Sequence, residues 1–151
     1  MTATPLYAPL EVRGLTKYFH AGNGLLDRSR VHAVEDVSFA LRPGMITALV
    51  GESGSGKSTV ARLLARLYDP TSGAVLYEGA DATKATRRKE ILRYRSQVQM
   101  IFQDPFGSLN PVKTIAHHIE RPLKIHRIVP PDAVTERVHA LRSRVGLEPA
   151  A

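Results

Sequence analysis

The sequence predicts an α/β fold in which a phosphate-loop core is fronted by an antiparallel β layer and followed by the beginning of a helical layer. Three observations carry this. The stretch Gly51 to Thr59, GESGSGKST, stands directly behind the apolar run Met45 to Val50 and ahead of a helical pattern. Upstream, short segments alternate apolar and polar residues, the period of a half-buried strand. Beyond Asp104 the apolar residues recur at three and four positions, as on one face of an amphipathic helix.

Taken in order, residues 1–9 hold two prolines and read as a loose leader. Leu10, Val12 and Gly14 alternate with Glu11 and Arg13, giving a first strand that runs into Lys17-Tyr18-Phe19. His20 to Arg30, rich in glycine, asparagine and charge, is expected to be a loop. Val31 to Val34 is a short second strand, and Val37, Phe39 and Leu41, separated by Ser38 and Ala40, make a third. Arg42-Pro43-Gly44 then turns the chain into Met45 to Val50, which has the length and polarity of a buried strand.

A helix is expected from Lys57 to Leu67, because Val60, Leu63, Leu64 and Leu67 fall at i, i+3, i+4 and i+7, with Arg62 and Arg66 on the opposite, polar side. Asp69-Pro70-Thr71-Ser72-Gly73 stops it. Ala74 to Tyr77 is a short strand, Gly79 to Thr83 a turn, Ala85 to Arg95 a basic helix, and Gln97 to Phe102 (QVQMIF) a core strand ended by Asp104-Pro105. Asn110-Pro111 opens a helix carrying Val112, Ile115 and Ile119 and closing near Arg121-Pro122. Pro130-Pro131-Asp132 opens another, with Val134, Val138, Leu141 and Val145 on one face and Gly146 past its end.

The loop's chemistry follows from its spacing. Gly51, Gly56, Lys57 and Ser58 satisfy G-x-x-x-x-G-K-S/T. Glycines let such a loop curl so that successive backbone N–H groups point at phosphate oxygens, and the following helix directs its positive end at the same anion. The candidate nucleotide-binding residues are Gly51, Ser53, Gly54, Ser55, Gly56, Lys57, Ser58 and Thr59. Lys57 brings a mobile positive charge, and Ser58 a hydroxyl oxygen of the kind Mg²⁺ prefers.

Composition bounds the rest. The chain has 151 residues, 43% hydrophobic and 23% charged, enough for one core and at most one domain. With no cysteine, a disulfide framework, a thiolate metal site and a cysteine nucleophile are excluded. No stretch reaches the length of a membrane span and nothing resembles a signal peptide, so a cytoplasmic place is expected. Six histidines are scattered without metal-ligand spacing, and no metal site is expected from them. Much of the net charge of +7 sits between Lys84 and Arg95, where six basic residues meet one acid, Glu90. That segment reads either as a solvated helix or as a docking face for a membrane or partner; no nucleic-acid module is present.

Gln103 is the second feature. It ends the expected core strand, and in open α/β sheets the carboxyl ends of strands face the ligand. Its amide can offer an oxygen to Mg²⁺ and an N–H to a water.

The loop, the PTSG turn after its helix, the run VQMIFQDPFGSLNP and the early loop containing GLLDR before VHAVEDVSF together resemble the ATP-binding subunit of an ABC transporter of the oligopeptide/dipeptide importer type. The resemblance spans nearly the whole chain. It implies a P-loop NTPase core with an antiparallel β layer over residues 10–103 and the start of the helical subdomain over 104–151, with ATP and Mg²⁺ as ligands. It implies that Phe19, or failing it Tyr18, stacks on adenine, that Ser58 and Gln103 serve Mg²⁺, and that Gln103 contacts the attacking water and passes the nucleotide's state to the membrane subunits. Implied partners are transmembrane permease subunits, a second ATP-binding subunit and, indirectly, an external substrate-binding protein, with no nucleic acid. The chain would then sit on the inner face of the membrane through the permease.

The chain departs from that family in what it lacks. It contains no Leu-Ser-Gly-Gly signature loop, no four apolar residues followed by Asp and a catalytic Glu, and no switch histidine after them. The expectation is therefore a fragment or a truncated product, an incomplete ATP-binding domain that binds Mg·ATP weakly and hydrolyses it negligibly, because the carboxylate that activates water is missing. The alternatives are a nucleotide-binding module without transport, or another P-loop enzyme such as a kinase, for which no acceptor site is evident.

Overall fold

A computed structural model describes residues 9–21, 29–104 and 107–147. The expected leader before Pro9, the GLLDR loop, and Pro105 and Phe106 of the Gln103 run lie outside the described residues. The chain divides into two compact units, 1–100 and 101–151.

The first unit is built on a four-stranded antiparallel sheet in the order β2-β1-β3-β4. β1 (Leu10–His20) pairs with β2 (Arg30–Leu41) on one side and with β3 (Ser72–Tyr77) on the other. β3 turns into the two-residue β4 (Ala80–Asp81). Val12 faces Phe39 across one pairing and Val75 across the other, so the alternation of β1 builds the sheet's inner face. Helix α1 (Lys57–Leu64) lays Val60 and Leu63 into the same core as Leu10, Val12, Leu15 and Val75; Leu15, Leu63 and Val75 are wholly buried. Helix α2 (Arg88–Gln97) is fastened by Tyr94, whose hydroxyl donates to the Leu64 carbonyl at 2.5 Å and whose ring meets Tyr77 edge-on.

The second unit is a helical pair. In α3 (Ile115–Ile125), Thr114 caps the start by accepting from the His117 amide at 3.2 Å. In α4 (Val134–Arg144), Val134 and Val138 pack against Leu123 of α3.

Several expectations need correction. The second and third strands are one, β2, because Asp36 takes a left-handed backbone (φ 47) and Thr16 Oγ1 accepts from its amide, so the chain bends without leaving the sheet. α1 ends at Leu64, and Arg66 turns inward instead of lying on a polar face; it is 8% exposed. α3 continues through Pro122 because Leu123 beyond it is buried against α4. Neither apolar run expected to be a core strand is one. Residues 45–50 and 98–102 are irregular, with Ile46 fully exposed, Val50 87% exposed and Ile101 93% exposed. Gln103 therefore does not end a strand. A strand needs neighbours to take its backbone hydrogen bonds, and among the described residues no segment pairs with either run.

Candidate functional site

The phosphate-loop sequence folds where a tight strand-to-helix connection must touch the sheet. Gly56 caps α1 in a left-handed conformation (φ 86), and a β-carbon there would lie 2.2 Å from the Ala33 carbonyl oxygen. Only glycine fits, so the loop rests directly on the β2 backbone. Below it Val60 is buried and holds the first turn of α1 in place. Val60 N–H donates to Gly56 at 2.9 Å, the first regular helical bond. Among the described residues no backbone carbonyl accepts from the amides of Gly54, Gly56, Lys57 or Ser58. These are the unpaired donors of a helix start, available to an anion.

Lys57 curls back over the loop. Its ammonium donates to the carbonyls of Gly51 at 2.8 Å and Glu52 at 2.5 Å and to Ser55 Oγ at 3.2 Å. Ser53, Gly54 and Ser55 are exposed along the loop, Ser58 is exposed at the second position of α1, and Thr59 is half-buried. A cleft of about 370 Å³ opens here, walled by Val34 and Glu35 of β2, by Val50, and by Gly51, Ser55 and Lys57. Its loop side offers donors and positive charge, and a polyanion fits that chemistry. A larger cavity of about 690 Å³ lies elsewhere in the first unit, between the β3–β4 turn and α2. Its charged walls, among them Glu78, Asp81, Glu90 and Arg93, are mixed in sign. The smaller cleft holds the loop's chemistry, and size does not decide between them.

Beside the cleft stands a cluster that sequence reasoning missed. Tyr18 Oη donates to Glu35 at 3.0 Å, the Tyr18 and His32 rings lie 4.1 Å apart, and His32 Nδ1 is 3.4 Å from the second Glu35 oxygen. The bond from Tyr18, with a lesser one from His32, holds the Glu35 carboxyl below its usual range; the same bond pushes the Tyr18 hydroxyl up. No sequence signal could have found the cluster. It depends on a shift in strand register, Lys17 opposite Val34 but Tyr18 opposite His32, that leaves Ala33 as an extra residue.

Phe19, the expected adenine platform, is half-buried at the end of β1. Its ring meets Tyr68 edge-on at 5.4 Å, with the Lys17 ammonium 5.1 Å from its centre. Gln103 belongs to the second unit, exposed in irregular backbone. Among the described residues no group of three or more acidic, histidine or cysteine side chains could hold a metal by itself.

The comparisons with known proteins agree with one another. The ABC transporter family matches over residues 34–151. The chain is 43% identical over 152 residues to the oligopeptide transport ATP-binding protein AppF of Bacillus subtilis, covering 99% of this chain and 46% of that protein. It is 44% identical over 142 residues to the glutathione import ATP-binding protein GsiA of Escherichia coli, covering 93% of this chain and 23% of that one. The chain thus spans less than half the length of these relatives. Among solved structures, a dimeric ATP-binding cassette in a post-hydrolysis state with ADP and Pi superposes with a TM-score of 0.67 at 22% identity, over 85% of this chain and 53% of that one. The cbiO1 subunit from Clostridium perfringens superposes at 0.63 with 25% identity, over 93% and 51%. The fold is that of the ATP-binding cassettes, an α/β P-loop fold with an antiparallel β layer.

Proposed function

This chain belongs to the ABC transporter family, and on that premise we propose that it is the ATP-binding part of an importer that takes up oligopeptides or dipeptides. The observation that carries the reading is the loop itself: Lys57, with Gly51 and Ser55, lines a cleft of about 370 Å³, and the amides of Gly54, Gly56, Lys57 and Ser58 have no backbone carbonyl partner among the described residues. Lys57 exchanges its carbonyl partners for phosphate oxygens, and the amides of Gly54, Gly56, Lys57 and Ser58 take the remaining charge. Mg²⁺, when bound, neutralises phosphate charge; in the first unit the Ser58 hydroxyl is the oxygen proposed to hold it. An aromatic at the end of β1, Phe19 or its neighbour Tyr18, offers a ring to the base. Oligopeptide as the cargo is supported by the name of AppF, while that of GsiA says glutathione.

The chain's proposed partners are permease subunits, a second ATP-binding subunit and, through the permease, an external substrate-binding protein. Among the described residues no helix is long and apolar enough to cross a membrane. Attachment to the inner face of the membrane through the permease is part of the same proposal. The test is uptake of a labelled oligopeptide by cells whose own copy carries Lys57→Ala. Uptake falls to background if the reading holds; uptake equal to wild type contradicts it.

A further inference from the structure

The segment from Lys84 to Arg95 has six basic residues against one acid, a surplus of five within a chain whose whole net charge is +7. The structure turns this into a surface. Lys84, Arg87, Arg88, Lys89, Arg93 and Arg95 are all exposed. Tyr94 is buried and bonded to Leu64, so α2 is held with one side inward and its basic side chains outward. Arg87 caps the helix with no side-chain hydrogen bond; Arg88 and Lys89 share the first turn with Glu90, and Arg95 stands in the last turn, where positive charge suits the helix dipole. Among the described residues the ion pair formed by this group is Lys84 with Asp81 at 3.3 Å. Arg95 instead donates to the Arg66 carbonyl at 2.5 Å. The remaining side chains are exposed and form no ion pair among the described residues, with Arg93 at the edge of the cavity that also holds Glu78, Asp81 and Glu90.

We propose that the exposed basic surface at the start of α2, formed by Arg87, Arg88, Lys89 and Arg93, docks on an anionic phospholipid surface. Several basic side chains near such a surface act together while each stays solvated. A membrane fits better than a nucleic acid because the face carries no exposed aromatic residue to stack on bases; Tyr94 is buried. The contact is separate from the nucleotide cleft and does not depend on it.

The experiment is co-sedimentation of the full chain with vesicles of phosphatidylcholine alone or with about a third phosphatidylglycerol, at low and high salt. Wild type binds the anionic vesicles, and high salt releases it. Arg87→Gln, Arg88→Gln, Lys89→Gln and Arg93→Gln combined lowers that binding by roughly tenfold or more. A control with the same loss of charge in the second unit, Lys113→Gln, Arg121→Gln, Arg127→Gln and Arg137→Gln, keeps most of it. Circular dichroism confirms that both variants are folded. Equal loss in the two variants reduces the effect to net charge and overturns the proposal. Equal binding to both vesicle types assigns it to the exposed apolar runs, with the same result. Release of the vesicles by a structured RNA at lower concentration than salt requires makes nucleic acid the partner and also overturns it.

Discussion

Gly56 lies against the backbone of Ala33, so close that a β-carbon would stand 2.2 Å from the Ala33 carbonyl oxygen. The contact seats the phosphate loop on β2, and it cannot be relieved by a side-chain rotation because both partners are backbone. Gly56→Ala is therefore expected to cost more than the ~1 kcal/mol of an ordinary glycine replacement at positive φ, by roughly 2 to 3 kcal/mol in denaturant unfolding. Nucleotide binding should weaken with it. A loss below about 0.5 kcal/mol would mean that the loop does not rest on Ala33.

Arg66 is the buried cation of the first unit. Its guanidinium donates to the Ala82 carbonyl, to Ala85 O at 3.4 Å and to Asp69 Oδ1 at 3.1 Å, so it ties the end of α1 to the turn before α2. Arg66→Ala leaves those carbonyls without donors and is expected to destabilise by roughly 2 to 4 kcal/mol. Arg66→Lys should recover less than half, because an ammonium cannot span the fork. Urea unfolding of the three proteins checks this, and full recovery by lysine would contradict the geometry.

The exposed run ahead of the loop makes a contrast. Ile46 is fully exposed and Leu15 fully buried, although both sit in apolar segments. Ile46→Ser should change stability by no more than about 0.5 kcal/mol, while Leu15→Ala should cost roughly 2 to 5 kcal/mol. Ile46→Ser should also reduce binding of a hydrophobic dye, since it removes part of an exposed apolar stretch. Comparable losses at the two positions would place Ile46 in a core.

Tyr94 gives the pH prediction. Burial pushes its hydroxyl up to about 12 against the opposing pull of the Arg66 charge. In the unfolded chain it titrates near 10, so between those values the folded state keeps a proton that the unfolded state has lost. The stabilisation is fully present below pH 10 and is lost as pH rises through about 12. Tyrosinate absorbance should show a tyrosine titrating near 12 that Tyr94→Phe removes, and the alkaline fall in stability should shrink with it.

The parts legible in the sequence were those fixed by local chemistry. The phosphate loop needs particular residues at particular spacings, and β1, β3 and the valine stripe of α4 declare their periods. What escaped depended on partners distant in sequence. Arg66 looked like a polar-face residue on a helical wheel, but the helix stops two residues earlier and the backbone turns it inward (φ 54). Met45 to Val50 and Val98 to Phe102 have the polarity of core strands, yet polarity cannot supply the neighbour a strand pairs with. The Tyr18–His32–Glu35 cluster rests on an extra residue in β2 that no alternation pattern announces.

The central claim is that the cleft around Lys57 holds the phosphates of Mg·ATP. Thermal unfolding of the first unit with increasing Mg·ATP tests it most directly, since a ligand that binds only the folded state raises the midpoint with concentration. The account predicts a rising midpoint in wild type and none in Lys57→Ala, with the two proteins alike in the absence of nucleotide. Equal shifts in both proteins, or no shift in wild type at millimolar nucleotide, would contradict it.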